Sequence, residues 1–109
     1  MQYDSDYLLV MTTCPSLAVA KQLANMVVDG QLAACVQISG PITSCYVWQD
    51  KVCEDQEFSL HIKCLASCYQ ALEQALTAQH PYEVPQIIAV PIIRGLPAYL
   101  EWIKENSQS

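Results

Sequence analysis

Along this chain apolar positions recur in two rhythms, and the switches between them mark the elements. Tyr7 to Met11 is a short apolar run closed by Thr12-Thr13-Cys14-Pro15, which predicts a first buried strand. Pro15 suits the first turn of a helix. Leu17, Ala20, Leu23, Ala24, Val27 and Val28 then repeat at helical spacing, with Lys21, Gln22, Asn25 and Asp29 on the other face and Gly30 as the stop. Leu32 to Ile38 predicts a second strand, which Ser39-Gly40-Pro41 bends or interrupts before Thr43 to Trp48 resumes it. Gln49-Asp50-Lys51 is the expected turn of a hairpin. On the return strand Phe58, Leu60, Ile62 and Cys64 alternate with Ser59, His61 and Lys63, so one face is buried and one polar. Ser67 to Gln70 fits a capping box opening a second helix with the stripe Tyr69, Leu72, Ala75 and Leu76, closed by His80-Pro81. Gln86 to Ile93 predicts a fourth strand, with Pro91 marking an edge or bulge. Leu96, Tyr99, Leu100 and Ile103 predict a short last helix from near Pro97, and Asn106 to Ser109 a frayed tail.

The predicted order, β-α-β-β-α-β and a short α, is that of an α+β, ferredoxin-like sandwich: two βαβ units joined by a hairpin, both long helices on one face of a four-stranded sheet. One domain accounts for residues 1–109. Residues 32–48, read as strand, reach about 55 Å at ~3.3 Å per residue, so the hairpin is expected to project. The sheet face away from the helices has no predicted cover. Hydrophobic residues make up 52% of the chain and charged ones 15%, against about 25% charged in an ordinary domain. Both features predict an oligomer that hides apolar surface between copies.

The formal net charge of −6 excludes a phosphate-binding, nucleic-acid footprint. No stretch reaches the length of a membrane span, and the acidic start lacks a signal peptide's basic region, so the cytosol is the expected compartment. The six cysteines are expected to be reduced there.

Candidate chemistry lies in three places. Cys14 precedes a helix, where the dipole favours a thiolate, and is a candidate soft-metal ligand. Cys35 and Cys64 read as small buried hydrophobes, and His61 and Cys64 point to opposite faces of their strand. The stretch His80-Pro81-Tyr82-Glu83-Val84-Pro85 holds an imidazole, a phenol and a carboxylate in a loop stiffened by two prolines. The long hairpin carries Tyr46, Trp48, Glu57 and Lys63. Three glycines leave no phosphate-cradling loop, and no Ser or Cys nucleophile has a His in a recognisable arrangement, so no self-contained catalytic centre is expected.

Together, Thr12 to Pro15, Gln31-Leu32-Ala33-Ala34-Cys35-Val36, Ser44-Cys45-Tyr46-Val47-Trp48, the strand from Glu57 to Lys63, His80 to Pro85 and Tyr99-Leu100-Glu101-Trp102 resemble the CutA (divalent-cation tolerance) family, in family order over nearly the whole chain. The resemblance implies a homotrimer with interlocked hairpins, similar to the trimeric nitrogen-regulatory signalling proteins, and a role in tolerance to divalent metals such as copper. Gln86 stands where relatives commonly carry a glutamate ligand, Thr12 where some carry cysteine and Gln79 where some carry histidine. Weak binding of copper or another divalent cation is therefore expected, with Cys14, His80 and Glu83 as ligands and no cofactor required. Tyr46, Trp48, Glu57, Lys63 and Tyr82 are expected in an intersubunit cleft. The alternatives are a small-molecule scaffold using that cleft, and an enzyme built on Glu57, Lys63, His80 and Tyr82.

Overall fold

The structure is a computed structural model that describes residues 5–108. Strand β1 (Tyr7–Cys14) leads into α1 (Leu17–Asp29), then β2 (Cys35–Trp48) and β3 (Lys51–Leu65). After them come α2 (Tyr69–Gln79), β4 (Ile87–Pro91) and α3 (Pro97–Glu105). The four strands form one antiparallel sheet in the order β2-β3-β1-β4. Each βαβ unit thus has a strand of the other unit inserted between its own two, the arrangement the sequence pattern predicts. Pro91 closes an edge strand, where its missing N–H costs no ladder bond.

The core lies between the sheet and α1 and α2. Ala20, Leu23 and Val27 of α1 and Leu72 and Leu76 of α2 meet Val10, Cys14, Leu60, Ile62 and Cys64 of the sheet. The alternation of β3 is what puts Leu60, Ile62 and Cys64 on this face, and His61 and Lys63 on the other.

Local chemistry differs from expectation at several ends. Ser16, not Pro15, opens α1: its extended backbone lets its hydroxyl accept from the Val19 N–H at 3.1 Å. The capping box at Ser67 does not form. A 3₁₀ turn (Ala66–Cys68) feeds straight into α2, so the preceding residue is already helical and makes no side-chain cap. β2 is one continuous strand, with a register shift between Ser39 and Ile42. Gly40 is required there, because its φ is +145° and an added Cβ would stand 2.7 Å from the Phe58 ring. β4 is shorter than predicted at both ends, although the Ile92 N–H still donates to Tyr7 O at 2.9 Å. The tail is not free: Gln108 N–H donates to Gln31 O at 2.8 Å, and the buried Cys68 thiol donates to Gln108 O at 2.7 Å. Ser109 lies outside the described residues.

The face opposite α1 and α2 is not wholly bare. Tyr99 of α3 stands against Cys35, which is half-buried rather than buried as expected, and burial with that thiol beside it pushes the Tyr99 hydroxyl up. Ile88 and Val90 of β4 remain exposed on this face.

Candidate functional site

The hairpin outgrows its sheet. β1 pairs with β3 only from Phe58 to Leu65, so Lys51 to Glu57 has β2 as its partner and, among the described residues, no strand on the other side. The ribbon ends in a two-residue turn, Gln49 and Asp50, with φ of 52° and 65°. Both residues are left-handed, as the twist of a tight hairpin demands, and neither is glycine. Val47 and Val52, directly opposed near the tip, are 70% and 77% exposed.

Where the ribbon leaves the sheet, it meets the loop between α2 and β4 and encloses a groove of about 760 Å³. Tyr46 and Trp48 line it from β2, Glu57 from β3, and Tyr82, Glu83 and Gln86 from the loop, with Thr13 and Ser44. The loop is anchored by His80. Its Nδ1 accepts from the Tyr82 N–H at 3.1 Å, so Nε2 carries the proton and donates to Thr13 O at 2.8 Å. The imidazole also packs on the Tyr82 ring, centroids 4.9 Å apart. Tyr82 donates its hydroxyl to Glu57 Oε2 at 2.7 Å. Glu57 is 7% exposed. Burial and this carboxylate raise the Tyr82 pKa well above the usual phenol range. Tyr46 donates to Asp55, whose acceptance of that proton raises the Tyr46 hydroxyl to about 12.

Of the residues expected in a cleft, Tyr46, Trp48, Glu57 and Tyr82 converge within one chain. Lys63 does not. It is six residues along β3 from Glu57, about 20 Å, and donates to Gln37. The sequence pattern singles out neither Gln86 as a groove residue nor Asp55 as the partner of Tyr46. A turn centred on residues 49 and 50 sets the register in which Tyr46 opposes Cys53, which makes Asp55 its diagonal neighbour, so the signal for Asp55 was present.

The proposed metal set does not assemble. Among the described residues no three His, Cys, Asp or Glu side chains form a metal-binding group. Both His80 nitrogens are engaged, leaving no lone pair for an ion. The thiolate expected at Cys14 is disfavoured: burial pushes its thiol up, helped by the nearby Glu57 charge, against a smaller lowering by a backbone hydrogen bond with Ser16. Desolvation outweighs the helix dipole because Cys14 is fully buried. Glu83 is exposed in the groove, apart from that pair's engaged atoms. The residues of one chain therefore do not fit a closed metal site.

Residues 8–106 match the family described as CutA1 divalent ion tolerance protein. The divalent-cation tolerance protein CutA of Thermus thermophilus is 43% identical over 99 residues, covering 91% of this chain and 96% of that protein. The chloroplastic protein CutA of Arabidopsis thaliana is 41% identical over 102 residues, and this chain spans 56% of its length. Among solved structures, that of CutA1 from the psychrotrophic bacterium Shewanella sp. SIB1 superposes with a TM-score of 0.94 at 46% identity, covering 98% of this chain and 100% of the other.

Proposed function

The chain belongs to the CutA1 divalent ion tolerance family, and from that premise we propose that it is a homotrimeric binding protein, not an enzyme, that takes its ligand in grooves between subunits. The observation that carries this reading is the groove itself. It is walled on one side by a two-stranded ribbon with exposed apolar residues on it, and a ribbon that thin is marginal in water without a further layer. A neighbouring copy supplies that layer. On this reading its part in divalent-cation tolerance is indirect, through the ligand in the groove.

A direct role for copper or another divalent cation is the second reading, favoured by the two carboxylates Glu57 and Glu83 facing one groove. It requires further ligands from a second chain, because Cys14 and His80 are otherwise engaged. All six cysteines are free, which supports a reducing compartment, and we place the protein in the cytosol. No described helix is long and apolar enough to cross a membrane.

Sedimentation equilibrium tests the assembly. Three copies of the 12.1 kDa chain are expected at micromolar concentration, and a mass of one chain overturns the proposal. Trp48→Asp is expected to give folded monomers, because it would bury an unpaired charge between copies. A Trp48→Asp protein that remains trimeric rules out the ribbon as the interface.

A further inference from the structure

Within one chain the electrostatics of the groove are one-sided. Glu57 is 7% exposed, and among the described residues its carboxylate accepts one hydrogen bond, from a neutral phenol. A carboxylate buried to that degree is costly unless a positive charge meets it. Yet among the described residues no Lys, Arg or His lines the groove, while Glu83 adds a second carboxylate.

The hydroxyls make the same selection. Tyr82 donates its hydroxyl hydrogen bond to Glu57 and Tyr46 donates its own to Asp55, so neither is left to donate to a ligand. An anion entering the groove would face two carboxylates and only neutral donors, among them the Ser44 hydroxyl, the Gln86 amide and the Trp48 indole N–H. What the two tyrosines and Trp48 do offer is ring surface, whose faces are electronegative and attract cations.

Size separates a bare ion from an organic one. The groove's volume of about 760 Å³ is in the range of small-molecule sites, roughly 300–1,000 Å³. A hard cation wants several converging oxygens, and no such group of three acids exists among the described residues. Aromatic walls around a buried carboxylate suit a weakly hydrated charge carried on an apolar body.

We infer that the groove binds a small organic cation, an alkylated or aromatic ammonium, with its charge at Glu57 and its apolar body against Trp48, Tyr46 and Tyr82. This rests on the reading of the groove as a ligand site. It adds the sign and chemical class of the ligand, which neither the family nor its role in cation tolerance specifies.

The full chain carries two tryptophans, so Trp102→Phe leaves Trp48 as the sole reporter. Titration of that trimeric protein with tetraethylammonium is expected to quench Trp48 saturably, and inorganic phosphate and magnesium are expected not to. Glu57→Gln keeps an acceptor for Tyr82 but removes the charge, and is expected to weaken binding at least about tenfold. Tyr82→Leu should cost roughly threefold to thirtyfold, the range of one cation–π contact. Glu83→Gln, at an exposed position where folding is not at stake, should cost about twofold to threefold through the lost long-range charge. Binding of phosphate in place of tetraethylammonium overturns the cation assignment while leaving the groove a ligand site. Binding of magnesium or copper that needs Glu57, with no response to tetraethylammonium, overturns the organic part. A folded trimer that binds none of the probes overturns both this inference and the groove reading beneath it. Equal affinity in wild type and Glu57→Gln overturns the role given to the buried carboxylate.

Discussion

β3 passes through two environments in one unbroken strand. From Phe58 to Leu65 it has β1 on one side, β2 on the other as far as Lys63 and helices above, and Leu60, Ile62 and Cys64 are fully buried. From Lys51 to Glu57 it has β2 alone, and Val52 stands almost bare. The residue types follow the layers: Lys51 to Glu57 carries Lys51, Glu54, Asp55 and Glu57 with Val52 among them, while Phe58 to Leu65 alternates Phe58, Leu60, Ile62 and Cys64 with polar residues. The number of layers differs as well, and the layers decide whether an apolar side chain such as Val52 stabilises the fold or waits for another surface. Glu57 sits at the join, buried by the end of one region and facing the groove opened by the other.

The sharpest break of this contrast compares two truncations on one strand. Leu60→Ala should lower unfolding free energy by about 2–5 kcal/mol, since it opens a cavity in close packing. Val52→Ala should stay within about 0.5 kcal/mol in the monomeric background of Trp48→Asp, being a surface change. Urea denaturation of both measures the difference, and equal costs would mean that the ribbon is packed within its own chain.

His80 comes next, because it belongs to the join. His80→Ala leaves the Thr13 carbonyl and the Tyr82 N–H without their partner and should cost about 1–3 kcal/mol. Copper titration of the variant should match wild type. Loss of copper binding with stability unchanged would make the imidazole a ligand after all.

A smaller effect of opposite sign is expected inside the core. The Thr12 hydroxyl is buried with no hydrogen-bond partner among the described residues. Thr12→Val keeps the shape and removes the orphaned group, and should raise stability by about 1 kcal/mol. A decrease on thermal unfolding would show that the hydroxyl has a partner in solution. Smallest of all is the tip: Asp50→Gly relieves a left-handed residue at φ 65° and should gain about 0.5 kcal/mol or less, with assembly unchanged by sedimentation.

Periodicity makes the covered region legible. Alternation at Phe58 to Cys64 and the helical stripe from Ala20 to Val27 name the core residues by spacing alone, because burial against a layer is what imposes those rhythms. The fold brings Tyr46, Trp48, Glu57 and Tyr82 to one groove within the chain and leaves Lys63 out of it. Spacing fails wherever an atom's availability depends on distant neighbours. Cys14 sits at a helix start, as its sequence says, but only the fold buries it and sets Glu57 nearby. His80 looks like a ligand until Thr13, sixty-seven residues away, takes one nitrogen and the turn into Tyr82 takes the other. Lys63 shares a strand with Glu57, yet a strand separates what the sequence keeps close, while the loop brings Tyr82 across twenty-five residues to the carboxylate. Local order follows from neighbours along the chain, whose side chains repeat at fixed angles. Protonation, ligand capacity and the walls of a groove follow from desolvation and contact, which exist only once the layers have closed.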